Sequence, residues 1–137
     1  MNSVGKLKIL LVEPAHLLRR TVSLTVHSLG TAEVTEAAAY ATAEQLCEGQ
    51  SFDGAVVALD WPPEDALSRG LSLIQQIRAG KSASGASIPI AALVESCNAE
   101  LLQVLRACGI SRILIKPFRV RDVIDTIDSM RGTARLQ

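Results

Sequence analysis

Apolar residues fall in five short runs, and four of the five stretches that follow them repeat apolar positions at helical spacing. Lys6 to Val12, Asp53 to Asp60, Ile88 to Val94 and Ile110 to Lys116 each carry a nearly continuous apolar run. Such runs suit strands covered on both faces. Thr31 to Glu36 is shorter, with Val34 between two threonines, and suits an edge strand. From Ala15 to Leu29 the residues Leu18, Val22, Val26 and Leu29 share one helical face, and Gly30 stops the helix. Ala37 to Glu48 is an alanine-rich helix ending at Gly49. Leu67 to Ala79 carries Leu71, Ile74 and Ile77, with Gly80 as its stop. Lys81 to Ser87 is small and polar and reads as a surface loop. Cys97 to Cys108 places Leu101, Leu102, Leu105 and Cys108 on one face before Gly109. Val120, Val123, Ile124, Ile127 and Met130 form the stripe of a last helix, and Arg131 to Gln137 is expected to fray.

Five strand-helix units with short connections require parallel strands with helices on both faces. The expected fold class is α/β: a doubly wound, five-stranded parallel sheet in the order 2-1-3-4-5. Within it, Ile113, Leu114 and Ile115 read as a buried strand that Pro117 terminates, because proline has no N–H for a ladder.

Composition narrows the function classes. The chain has 137 residues, 48% of them hydrophobic, which fits one soluble globular domain with a single core. Lysine and arginine balance aspartate and glutamate at 14 each, so net charge gives no reason to expect nucleic acid or an anionic membrane surface as partner. No apolar run approaches the ~20 residues that span a bilayer. The N-terminus lacks the apolar core and cleavage site of a signal peptide. Cys47, Cys97 and Cys108 have no metal or CxxC spacing and read as reduced thiols of a cytoplasmic protein.

Three strands end in a charged residue. Glu13 follows the first, Asp60 the third and Lys116 the fifth. In a sheet of this order those ends converge on the C-terminal edge, where open α/β sheets place ligands. Two carboxylates and an ammonium in one crevice suit phosphoryl chemistry. One carboxylate can act as nucleophile, another can help hold a divalent cation, and the lysine can neutralise a phosphoryl oxygen. Taken singly, Asp60 is as readily a turn aspartate and Glu13 as readily an acid favoured by a helix N-terminus. Three separate strand ends sharing this property is what favours a site.

The stretches KILLVE, FDGAVVALD, LSLIQQIR, IPIAAL and ILIKPF resemble the receiver domains of two-component response regulators, the CheY-like family, over roughly Leu7 to Met130. The resemblance implies a CheY-like, flavodoxin-like (βα)5 fold, a single receiver domain over 1-137 with a core of about 7-130, and no output domain. It implies a signalling module rather than an enzyme. Asp60 would be the phosphoacceptor, Lys116 the phosphoryl contact, and Pro117 the residue after a cis bond. Val94, Ile113 and Pro117 match the family's switch positions. Glu13, Asp60 and the backbone carbonyl of Pro62 match its Mg²⁺ ligands.

Several residues depart from the pattern. The family has two adjacent acids after the first strand, and here they are Glu13 and Pro14, which weakens Mg²⁺ binding by removing a carboxylate. Its switch hydroxyl is replaced by Val94, and Ser96 two residues on does not substitute for it. Its switch aromatic is replaced by Ile113. The usual glycine after the loop proline is delayed to Gly70, and the long loop carries Glu64 and Asp65.

Two readings compete. One is a stand-alone, atypical receiver in a phosphorelay, phosphorylated on Asp60 by a histidine kinase or phosphotransfer protein. The other is a phosphorylation-independent pseudo-receiver that acts as a docking module. The kinase or phosphotransfer partner would dock near Leu17, Leu18 and Thr21. A downstream protein would use the face of the fourth helix, fifth strand and fifth helix, and a homodimer is compatible with either reading. A flavin or nucleotide enzyme on this fold is disfavoured, because Glu13-Pro-Ala-His16 offers neither glycine nor hydroxyl to cradle phosphate. His16 has no nucleophile spaced to make it a catalytic base.

Overall fold

The computed structural model describes residues 6–59 and 66–136, the side chains of 66–68 and 132–136 excepted. Strands β1 (Leu7–Val12), β2 (Ala32–Ala37), β3 (Gly54–Ala58), β4 (Ile90–Val94) and β5 (Arg112–Ile115) form one sheet in the order β2-β1-β3-β4-β5. Every pairing is parallel. Helices α1 (His16–Leu29), α2 (Tyr40–Gly49), α3 (Ala66–Arg78), α4 (Ala99–Ala107) and α5 (Val120–Leu136) alternate with the strands. The expected topology is therefore the observed one.

The alternation of each strand divides the core into two layers. Leu10, Val57, Ala92 and Val94 point to one face, against Tyr40 and Ala43 of α2, Leu73, Ile74 and Ile77 of α3, and Leu105 of α4. Ile9, Leu11, Val56 and Leu93 point to the other, against Val22 and Val26 of α1 and Val123, Ile124 and Ile127 of α5. All five residues of β3 and of β4 are buried, which is why their sequences are apolar without alternation.

Element boundaries differ from the sequence reading where a long-range partner intervenes. β2 extends through Ala37, which pairs with Val12, so α2 begins at Tyr40 rather than at Ala37. α4 begins at Ala99 because Asn98 caps it, its side chain accepting the Leu101 N–H at 2.8 Å. Two expectations are corrected. β5 is not a buried strand: only Leu114 is buried, Ile113 is half-buried and Ile115 is 49% exposed. As the outer strand beside β4, it has no neighbour on its far side to help cover it. Arg131 to Leu136 does not fray but continues α5, and the Arg131 guanidinium donates to the Thr31 carbonyl. The single glycine at 132 costs an isolated helix only about 1 kcal/mol and does not end this one.

The N-terminal edge of the sheet is held by Arg78. Its Nε donates to the Cys108 carbonyl at 2.7 Å, and its Nη1 to those of Ala86 and Ile88 at 2.8 Å each. Its Nη2 donates to the Gly109 carbonyl at 3.2 Å. One guanidinium thus ties α3 to the end of α4 and to the segment entering β4. Burial holds its pKa below the usual arginine value. Among the described residues no helix is long and apolar enough to cross a membrane.

Candidate functional site

The C-terminal edge is built from strand ends in register. The Leu59 N–H donates to the Leu93 carbonyl at 2.9 Å, and the Lys116 N–H to the Val94 carbonyl at 2.9 Å. The chain leaving β3 and the chain leaving β5 therefore flank the end of β4. Each is one strand spacing of about 4.8 Å away from it. Glu13 follows β1 on the same edge, its N–H donating to the Ala37 carbonyl at 3.0 Å. Asp60, Trp61, Pro62, Glu64 and Asp65 lie outside the described residues. The structure thus brings Glu13 and Lys116 to one edge of the sheet.

Glu13 is 3% exposed, and its Oε2 accepts the Ala15 N–H at 2.8 Å. The Glu13 carbonyl accepts from Arg19 Nη1 at 2.9 Å, and Arg19 Nε donates to Glu36 Oε1 at 3.1 Å. Arg20 also pairs with Glu36. The β1–α1 loop is thereby fixed to the end of β2 by a partly buried charge network. A bidentate-capable arginine suits that role better than a lysine would.

Lys116 precedes Pro117 through a cis peptide bond, as the resemblance implied. Its ammonium lies 3.1 Å from Glu95 Oε1, in a pair with both side chains substantially exposed. The two line the rim of an open pocket of about 430 Å³ whose other described walls are Leu18, Pro117, Phe118 and Val120. Leu18 comes from α1 and Val120 from α5, so the pocket spans the ends of two helices and the loops after β4 and β5. Glu13 does not line it. Behind this edge, Val94 is fully buried and Ile113 half-buried in one apolar cluster with Leu101 and Leu105 of α4.

The helix that follows the undescribed segment approaches the sheet closely. A Cβ on Gly70 would lie 2.5 Å from Leu59 Cδ2 and 3.4 Å from the Tyr40 ring and hydroxyl. Gly70 therefore lets α3 pack against Leu59, next in sequence to Asp60. The Tyr40 hydroxyl donates to the Ala58 carbonyl, and Arg69 stacks over the Tyr40 ring at 5.8 Å. Sequence reasoning missed Glu95, Arg19 and Tyr40. Glu95 directly follows an apolar strand, as Glu13 does, and that shared position was the available signal.

The sheet order and the cis Lys116–Pro117 bond match what the sequence resemblance implied. The chain is 28% identical over 127 residues to a chemotaxis protein CheY homolog of Campylobacter jejuni, covering 93% of this chain and 94% of the relative. It superimposes on the chemotaxis protein CheY4 of Vibrio cholerae with a TM-score of 0.76 and 24% identity, covering 92% and 99% of the two chains. The receiver domain of the sensor histidine kinase PA1611 of Pseudomonas aeruginosa, described with a magnesium ion coordinated in its active-site cleft, gives a TM-score of 0.71 at 26% identity. That match covers 93% of this chain and 99% of the other. No family model matches the chain. The fold is that of the CheY-like receiver domains, and the chain is similar along nearly its whole length to these response-regulator relatives. Receiver domains are signalling modules rather than classical enzymes, and they work with histidine kinases or phosphotransfer proteins.

Receiver domains typically bind Mg²⁺. Among the described residues no three histidine, cysteine or acidic side chains group to hold a metal. The Glu13 carboxylate is a hard oxygen donor on the right edge, and Pro14 beside it has no side-chain oxygen. That donor chemistry fits Mg²⁺ held by few protein ligands and mostly by water.

Proposed function

We propose that the chain is an atypical response regulator receiver in a phosphorelay, with Asp60 as its phosphoacceptor. The observation that supports this most directly is the flanking of the β4 end by Leu59 and Lys116. Asp60 is next in the chain after Leu59. In the chain Asp60 follows β3 and Lys116 follows β5, the two strands on either side of β4.

In this reading an Asp60 carboxylate oxygen attacks the phosphorus of a phosphohistidine. The new O–P bond forms as the N–P bond breaks, and the electron pair returns to the imidazole nitrogen. Lys116 neutralises a phosphoryl oxygen. Glu13, Asp60 and the Pro62 carbonyl would hold Mg²⁺, which supplies further charge neutralisation when bound. Pro14 leaves this set one carboxylate short and its affinity low. With Val94 and Ile113 packed as hydrocarbons at the switch positions, the output does not use a hydroxyl and an aromatic ring. The phosphodonor would dock on α1, where Leu17 is 79% exposed. A downstream protein would dock on α4, β5 and α5, where Val104 and Ile115 are exposed.

Incubation with acetyl phosphate and Mg²⁺, followed by intact mass measurement, tests the assignment. The wild type should gain one phosphoryl group and Asp60→Asn none. A gain that persists in Asp60→Asn removes Asp60 from the role. No gain in either protein supports the docking module instead.

A further inference from the structure

The Lys116 ammonium already faces an anion of this chain. Glu95 is the first residue after β4, its carboxylate is 3.1 Å from Lys116 Nζ, and both share the rim of the same pocket. We propose that Glu95 is a built-in competitor for Lys116: it occupies the ammonium in the resting domain, and any phosphate-like anion must compete with it for that charge. The inference rests on the reading of Lys116 as the phosphoryl contact.

The physical basis is the sharing of one cation by two anions. An ammonium has three donors, so a second anion can approach. Its charge is then divided between two acceptors, and the two anions repel each other across a short gap. The pair is exposed, so the competition is weak enough for an incoming anion to win. An exposed ion pair corresponds to about two- to five-fold in an equilibrium constant. Glu95 would thus set a threshold and not a block. It would disfavour adventitious anions, while a donor docked beside the site, at high effective concentration, still succeeds.

Inorganic phosphate, titrated against the isotope-labelled Lys116 side chain and followed by NMR, tests this without any covalent step. Glu95→Gln keeps the shape and removes the charge. It should bind phosphate about two- to five-fold more tightly than the wild type at low salt. The difference should shrink as ionic strength rises, because exposed charges are screened. Glu95→Asp, with its shorter arm, should fall between the two. Equal midpoints for wild type and Glu95→Gln at low salt overturn the proposal, as does a Lys116 resonance unmoved by the substitution before phosphate is added. Failure of the acetyl phosphate assay would remove the phosphoacceptor reading but leave this titration interpretable.

Discussion

Arg78 and Lys116 are cations at opposite edges of the same sheet, and they are used in opposite ways. Arg78 places its guanidinium on four backbone carbonyls from two segments, the end of α4 and the stretch entering β4. Lys116 offers its ammonium to one side-chain carboxylate at the rim of an open pocket. A cation bonded to backbone in a half-buried setting cannot be released without loosening the elements it joins. A cation paired with an exposed carboxylate can exchange partners at small cost. The Arg78 contacts are thus a permanent part of the fold, whereas the Lys116 pair can be exchanged.

Removing Arg78 should therefore have the largest effect on stability. Arg78→Ala strands several carbonyls and unties α3 from the end of α4, and should cost about 3 kcal/mol in urea unfolding. Arg78→Lys should recover little, because an ammonium cannot reproduce the planar fork. A loss below about 0.5 kcal/mol would show that the backbone bonds are replaced by water and would erase the contrast.

The second test lies beneath the edge that carries Lys116. Val94→Thr places the family's hydroxyl in a fully buried apolar cluster. It should cost about 1–2 kcal/mol, since the hydroxyl must find a partner among hydrocarbon. If Val94→Thr is neutral, the edge retains room for a polar switch and Val94 is not locked by packing.

Alkaline pH should have a smaller effect, through Cys47. Burial, and then the nearby Glu44 carboxylate, raise the pKa of its thiol above the ordinary 9.0. The unfolded chain loses this proton first as pH rises. The stabilisation is thus fully present below about pH 9 and is lost as pH climbs through the raised folded value. Urea midpoints in the Cys47→Ala variant should fall less between pH 8 and pH 10 than in the wild type, taking those limits as roughly one unit either side. Native Cys47 should also alkylate more slowly than Cys97, which is less buried.

Lys116→Met should barely change stability, by less than about 0.5 kcal/mol, because an exposed pair contributes little. It should nevertheless abolish the acetyl phosphate mass gain. The sharpest form of the contrast is a cation that matters to stability at one edge and to chemistry at the other. A Lys116→Met protein that unfolds as readily as Arg78→Ala would break it.

Most of the fold could be read from the amino-acid pattern, because strand and helix periodicity are local properties. The runs at Gly54–Ala58 and Ile90–Val94 are apolar throughout, and Leu7–Val12 is so but for the exposed Lys8, since both faces are covered, and that dictated a parallel sheet. The run at Arg112–Ile115 looks the same in sequence yet lies at the edge with Ile115 exposed. Apolar content records what a strand could bury, and its position in the sheet decides what it does bury. Likewise Gly30, Gly80 and Gly109 marked helix ends correctly, each with positive φ, whereas the glycine at 132 marked none.

For the site, the sequence by itself determined which strand ends carry charge: Glu13, Asp60 and Lys116 are visible because each interrupts an apolar run. Only the tertiary structure decided that Glu95 faces Lys116, that Arg19 bridges Glu13 and Glu36, and that Arg78 gathers carbonyls from residues 86 to 109. Those contacts join residues of different elements and loops, from 6 to 31 positions apart in the chain. They exist because parallel strands bring successive loops to common edges, a consequence of sheet order that no local pattern of side chains encodes.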